Sequence, residues 1–192
     1  MKKLLVIAAA ILSFSAANAQ VVYAGFQSDN VKSKTTIGNT TTTTTQTYTG
    51  FFAGGAMNFE VADAIGIQPG LELSYGTDKD GNNKYSSLGV SIPIEVNYGI
   101  ELGSDFKLYP FAGPSIYIAL VDQVKNGNTT YDYLGDDVSR LGLGLSFGAW
   151  CDIKDMLRVK VGYDLGLLNR AQNKDYYSEK DNAFMFSVGY IF

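Results

Sequence analysis

Glu72, Glu95, Asp164, Arg158 and Lys160 are charged side chains that recur on the polar side of otherwise apolar, alternating segments. Three acids and two bases in a confined space have three chemical uses. They can neutralise one another as an internal salt-bridge network, form a gated path for ions, or carry out acid/base catalysis. A carboxylate pair alone is a weak catalytic signal. Each charge left unpaired out of water would cost several kcal/mol, so the expected arrangement is a lumen charge network that pairs across the interior and fills it.

Other chemistry is restricted by what the chain lacks. With no histidine anywhere, serine–histidine hydrolysis, histidine metal sites and histidine acid/base chemistry are all removed. The single Cys151 can form no internal disulfide, and its apolar neighbours would raise a thiol pKa rather than activate it. The run Asp78-Lys79-Asp80-Gly81-Asn82-Asn83-Lys84 superficially suggests a calcium loop, but its glycine sits at the wrong offset and no distal glutamate closes it. It reads as a polar hairpin turn. Gly142-Leu143-Gly144 is followed by no helix, so it is no nucleotide loop, and its glycines relieve crowding. No catalytic residue, metal or cofactor is expected, and the chain is not read as an enzyme.

The elements that position these residues are strands. Thirteen tyrosines, eleven phenylalanines and twenty-one glycines with four prolines favour extended chain, and no segment after residue 19 keeps a helical period beyond two turns. Alternation predicts eight strands: 21–27, 48–60, 65–77, 85–100, 106–121, 139–151, 157–169 and 183–192. Between them the connections run long, short, long, short, with 28–47 and 122–138 the longest. An even count with this alternation fits a closed antiparallel barrel with both ends of the chain on one side.

Face assignment decides what surrounds the barrel. One side carries Ile65, Ile67, Leu71, Leu73 and Tyr75 on the third strand, Leu88 to Ile100 at every second position on the fourth, Leu141 to Cys151 on the sixth and Leu157 to Leu167 on the seventh. The last strand adds Phe184, Phe186, Val188, Tyr190 and Phe192. No charge or amide interrupts these tracks. The opposite side holds Gln68, Glu72, Ser91, Glu95, Asn97, Ser146, Arg158, Lys160, Asp164 and many glycines. An eight-stranded barrel has room inside only for modest side chains or one small ligand, so the large apolar set must face out, into lipid. Strands one, two and five alternate too weakly for their facing to be assigned.

Lys2-Lys3, an apolar run from Leu4 to Leu12 and Ala17-Asn18-Ala19 predict a signal peptide over 1–19, leaving a barrel domain over 20–192. Losing Lys2 and Lys3 would take the net charge from −4 to −6, an acidic balance that argues against nucleic acid.

Ile92-Pro93-Ile94-Glu95-Val96, Pro110-Phe111-Ala112-Gly113-Pro114-Ser115, Leu141-Gly142-Leu143-Gly144 and the closing Gly189-Tyr190-Ile191-Phe192 together resemble the small eight-stranded bacterial outer-membrane barrels. The likeness is to the OmpA and OmpX type, and more closely to the outer membrane protein β-barrel domain family that includes PorT-like proteins. The resemblance implies a bacterial outer-membrane location, contact with lipid and lipopolysaccharide, and an assembly signal in Phe186, Val188, Tyr190 and Phe192 read by the barrel-assembly machinery. It also implies that members share the barrel and differ in their loops. Two loop features stand out. The Thr40–Thr45 run is either a solvated loop or an extended hairpin with an exposed edge, as in the adhesive member of the OmpX-like group. The 122–138 loop, with Asp122, Asp132, Asp136, Asp137, Tyr131 and Tyr133, could touch a surface ligand or divalent cations bridging lipopolysaccharide. The expected role is structural or surface interaction around a plugged lumen. The rival readings are a narrow porin-like channel or transport barrel for hydrophobic molecules, and a PorT-like accessory of a secretion system.

Overall fold

The computed structural model describes residues 20–127, 129–132, 134, 138–171 and 177–192. The expected signal segment lies outside them, as do Tyr133, Asp136 and Asp137. Strands account for almost all of the rest: β1 Val21–Ile37, β2 Thr40–Ala56, β3 Phe59–Ala62, β4 Ile65–Asp80, β5 Asn83–Tyr98, β6 Ile100–Glu101, β7 Phe106–Asn126, β8 Thr129–Asp132, β9 Leu141–Ile153, β10 Leu157–Gly166 and β11 Tyr177–Ile191. Eight of them form a closed antiparallel ring in the order β2, β1, β11, β10, β9, β7, β5, β4, with β4 returning to β2. β3 and β6 are short continuations below breaks in two barrel strands, and β8 folds back on β7. No helix long and apolar enough to cross a membrane occurs among the described residues, which says nothing of crossing by strands.

Several strands run beyond the bounds read from alternation. β1 and β2 pair without interruption from Val21↔Ala56 to Ile37↔Thr40, so the segment 28–47 is strand except for the Gly38-Asn39 turn, where Gly38 takes φ 61°. The threonine run therefore lies in an extended hairpin. Threonine's branched Cβ suits a pleated surface, and its polar face needs no core to cover it. At the next outer turn the polar Asp78–Lys84 run forms a tight hairpin, with Gly81 at φ 56° between β4 and β5.

The outer ends of the strands separate into two sheets that project from the ring. One joins β2, β1 and β11, with β1 paired to β11 as far as Thr35↔Tyr177, while β2 leaves β4 at Thr49↔Thr77. The other joins β4, β5, β7 and β8.

Facing on the first, second and fifth strands is now defined. Val21, Tyr23 and Gln27 of β1 point inward, as do Tyr48, Phe52 and Ala56 of β2. β7 defeats simple alternation for two reasons. Its inward Tyr109 and Phe111 are aromatic, so both of its faces look apolar. Its pairing with β5 also steps from Leu88↔Val121 to Gly89↔Ala119, leaving Leu120 as an extra residue. Such a bulge exchanges the faces of everything beyond it.

Candidate functional site

Among the described residues the interior gathers the buried polar chemistry. In its inner half, Arg158 of β10 faces Asp152 of β9 in direct cross-strand register. The guanidinium donates from Nε to Asp152 Oδ1 at 2.6 Å and from Nη2 to Oδ2 at 2.8 Å. Its third nitrogen, Nη1, crosses the lumen to Gln68 Oε1 at 2.5 Å. Gln68 donates to Glu95 Oε2 at 3.2 Å, and Lys160 Nζ donates to Glu95 Oε1 at 2.6 Å. The resulting chain Asp152, Arg158, Gln68, Glu95, Lys160 joins β9 and β10 to β4 and β5, and all five residues are buried.

Aromatic rings fill the space between these groups. Arg158 lies 4.5 Å over the Trp150 ring, itself stacked on Tyr109 at 5.4 Å and next to Phe111 at 5.3 Å. Lys160 Nζ is 4.7 Å from the Phe111 centroid. These rings take the volume that water would need while offering their negative faces to the cations.

All five charged residues singled out from sequence line the lumen, but their partners differ from those expected. Only Lys160–Glu95 pairs within the set. Arg158 goes to Asp152, which alternation had left in a turn; the hairpin register places the two side by side. Glu72 instead accepts the Tyr23 hydroxyl at 2.9 Å, and Asp164 accepts the Ser146 hydroxyl. Extending the inward track of β9 by two residues, from Gly148 and Trp150 to Asp152, is the signal that would have found the missing acid.

A second polar cluster lies toward the outer end. Arg170, assigned from sequence to a connection, ion-pairs with Asp181, donates from Nε to the Ser139 carbonyl at 3.0 Å, and sits 5.5 Å over Tyr117. Tyr117 has space because Gly89, diagonally across on β5, has no side chain, and a Cβ there would run into its ring. Between the clusters is a cavity of about 110 Å³ lined by Asp29, Tyr48, Tyr117, Asp122, Asp164 and Arg170, with room for a few waters. Asp122, expected in an acidic outer loop, is thus a lumen residue, while Asp132 stands on β8. Beyond the cavity, burial pushes the Glu179 carboxyl above the usual range, and burial with a hydrogen bond to Glu179 raises the Tyr177 hydroxyl to about 12. Among the described residues no cluster of three or more histidine, cysteine or acidic side chains is placed to hold a metal ion.

The outer wall carries the complementary surface. Phe26, Phe51, Tyr75, Leu143, Phe147, Val161 and Phe186 are exposed on a sheet whose interior is polar, the inverse of a soluble barrel. The profile of the outer membrane protein β-barrel domain matches residues 4–192. The chain belongs to that family. It is an integral β-barrel of the bacterial outer membrane.

Solved structures of similar shape include Neisserial surface protein A, at 15% identity and a TM-score of 0.48 over 89% of this chain and 97% of that one. Ail, the attachment invasion locus protein of Yersinia pestis, gives 12% identity and a TM-score of 0.45 over 91% and 99%. The outer membrane enzyme PagL gives 12% and 0.47 over 84% and 97%. No match is found among curated protein sequences.

Proposed function

We propose that this barrel is a closed scaffold that displays its two projecting sheets at the cell surface, with a structural or surface-interaction role and no transport through the lumen. The observation that carries the reading is the hydrogen-bonded chain from Asp152 to Lys160, packed against Trp150, Tyr109 and Phe111 across the inner half of the barrel. A conducting pore or a lateral path for hydrophobic molecules would need that volume open. Contacts with other molecules then fall to the projecting sheets. Among the described residues the Thr40–Tyr48 segment pairs only with β1, so its other edge offers backbone N–H and C=O groups to an extended partner strand.

The test is conductance of the purified barrel in planar lipid bilayers. Stable, discrete openings would overturn the closed scaffold, and a silent membrane containing folded, heat-modifiable protein is the expected result.

A further inference from the structure

The cations of this acidic chain are unevenly placed. Six of the nine lysines among the described residues, Lys32, Lys34, Lys79, Lys84, Lys125 and Lys180, are exposed on the outward faces of the two projecting sheets. Register places them against one another. Lys79 of β4 is directly opposite Lys84 of β5, which is directly opposite Lys125 of β7. On the other sheet Lys32 of β1 is directly opposite Lys180 of β11.

Like charges directly opposite across a ladder destabilise it, so a row of three on adjacent strands has a cost that nothing in the row repays. The ion pairs among the described side chains, Lys107–Asp155, Arg158–Asp152, Lys160–Glu95 and Arg170–Asp181, include none of the six. The outward acid nearest in register is Asp132, opposite Gln123 and two positions along from Lys125, and its Oδ1 accepts the Leu134 backbone N–H.

Height decides what meets these lysines. Lys79 and Lys84 stand four residues beyond Tyr75 and Leu88, which occupy the outer edge of the apolar belt. Lys125 stands four beyond Val121, opposite Leu88. At ~3.3 Å per residue and a tilt near 40°, four residues rise about 10 Å along the barrel axis, from the acyl chains to the headgroups. The clustering of like charge and its height match an anion supplied by the membrane. A second copy of the chain would set lysine rows against each other.

We propose that the Lys79–Lys84–Lys125 row binds the phosphate groups of a phosphorylated outer-leaflet glycolipid, with its acyl chains lying on the Tyr75, Leu88 and Val121 track below. This inference rests on the membrane location and not on the closed lumen. The Lys32–Lys180 pair repeats the arrangement on the neighbouring sheet, above a shallow trough floored by Ala24 and Ala53 between Phe26, Phe51 and Phe186.

The experiment uses the full mature barrel in phosphatidylcholine nanodiscs containing diphosphoryl lipid A, with lipid A retained through detergent exchange counted by native mass spectrometry. Replacing all three lysines (K79Q/K84Q/K125Q) should weaken retention roughly a hundredfold, given about a fivefold effect per lysine at a headgroup surface. The triple arginine variant should keep it, and K107Q/K154Q, at the opposite rim, should behave as the wild type. Because all these positions are exposed, each variant should retain its heat-modifiable gel shift. Equal retention by the glutamine variant would overturn the proposal. So would equal retention of lipid A stripped of its phosphates, or displacement of lipid A by millimolar inorganic phosphate, which would make the row a site for the free anion.

Discussion

Arg158 and Asp152 meet as a two-bond pair inside the lumen because the β9–β10 hairpin sets them directly opposite one another. The pair is fixed by local register, and the third guanidinium nitrogen extends it across the barrel to Gln68. Arg158→Ala should therefore leave the Asp152 carboxylate buried and alone, at a cost of about 3–5 kcal/mol. Urea titration of the folded protein in lipid vesicles should show a clearly lowered midpoint. The paired change Arg158→Met with Asp152→Leu removes both charges and should recover much of the loss. A midpoint unmoved by Arg158→Ala would mean that water reaches this layer.

Topology gives an independent check. In a Cys151→Ser background, single cysteines at Thr42 and Asn82 should react with impermeant maleimide on intact cells, because both lie in outer hairpins. One at Ser104, in the turn between β6 and β7, should react only after the outer membrane is opened. Equal labelling at Ser104 and Asn82 would refute this arrangement of the strands.

Leu120 is a third point of attack. It is the extra residue between the pairs Gly89↔Ala119 and Leu88↔Val121, so removing it lets Val121 follow Ala119 directly and keeps every pair beyond, with Val124 inward and Lys125 outward. The single deletion should therefore retain the heat-modifiable form. Removing Leu120 together with Val121 would turn Val124 outward and Lys125 inward, and should abolish or greatly reduce that form. If the double deletion assembles as well as the single one, the facing of β7 beyond the step is not as described.

Glu179 links the outer cluster to pH. Its carboxyl is raised mainly by burial, with the Tyr177 hydrogen bond opposing. A raised acid binds its proton more tightly folded than unfolded, so its contribution to stability is present in full below the usual carboxylate range. That contribution is lost as pH climbs through the raised value. Relative to the wild type, Glu179→Gln should thus gain resistance to proteolysis of the outer segments as pH rises from about 4 to 8. A difference that shrinks over this range would contradict the sign.

The closing strand supplies the last test. Phe192→Asp places a charge on the track shared by Val188 and Tyr190, at the inner rim where Phe192 N–H donates to the Gln20 carbonyl at 2.9 Å. Export should continue while the folded form in the outer membrane declines. Wild-type amounts of assembled barrel would show that Phe192 has no part in assembly.

How much of this was legible depended on whether a strand keeps one uniform face. β4, β5, β9, β10 and β11 do, and their outward tracks could be read without ambiguity from Ile65 to Phe192. β7 could not be read so simply, because Tyr109 and Phe111 put bulk on the inward face to stack on Trp150, and Leu120 then reversed the phase. The outer halves of β1 and β2 were hidden for a different reason. Above the membrane neither face is buried in lipid, so the threonine run carries no alternation to detect. Within the lumen, the identities of the charged residues could be read because charge is forbidden on the other face. Their pairing could not, since Asp152 and Glu95 compete for the same cations and only hairpin register settles which is adjacent.

Seven of the eight seams in the ring join strands that follow one another along the chain, and each of these can zip up from its own turn. The eighth, β1 with β11, brings Val21 to Ile191. Until that seam forms, two backbone edges stand open, and hydrocarbon offers them no alternative bonding. Loop-closure entropy for almost the whole polypeptide falls on this one step, so the barrel's rate of formation should be governed by the time its first and last strands take to find each other.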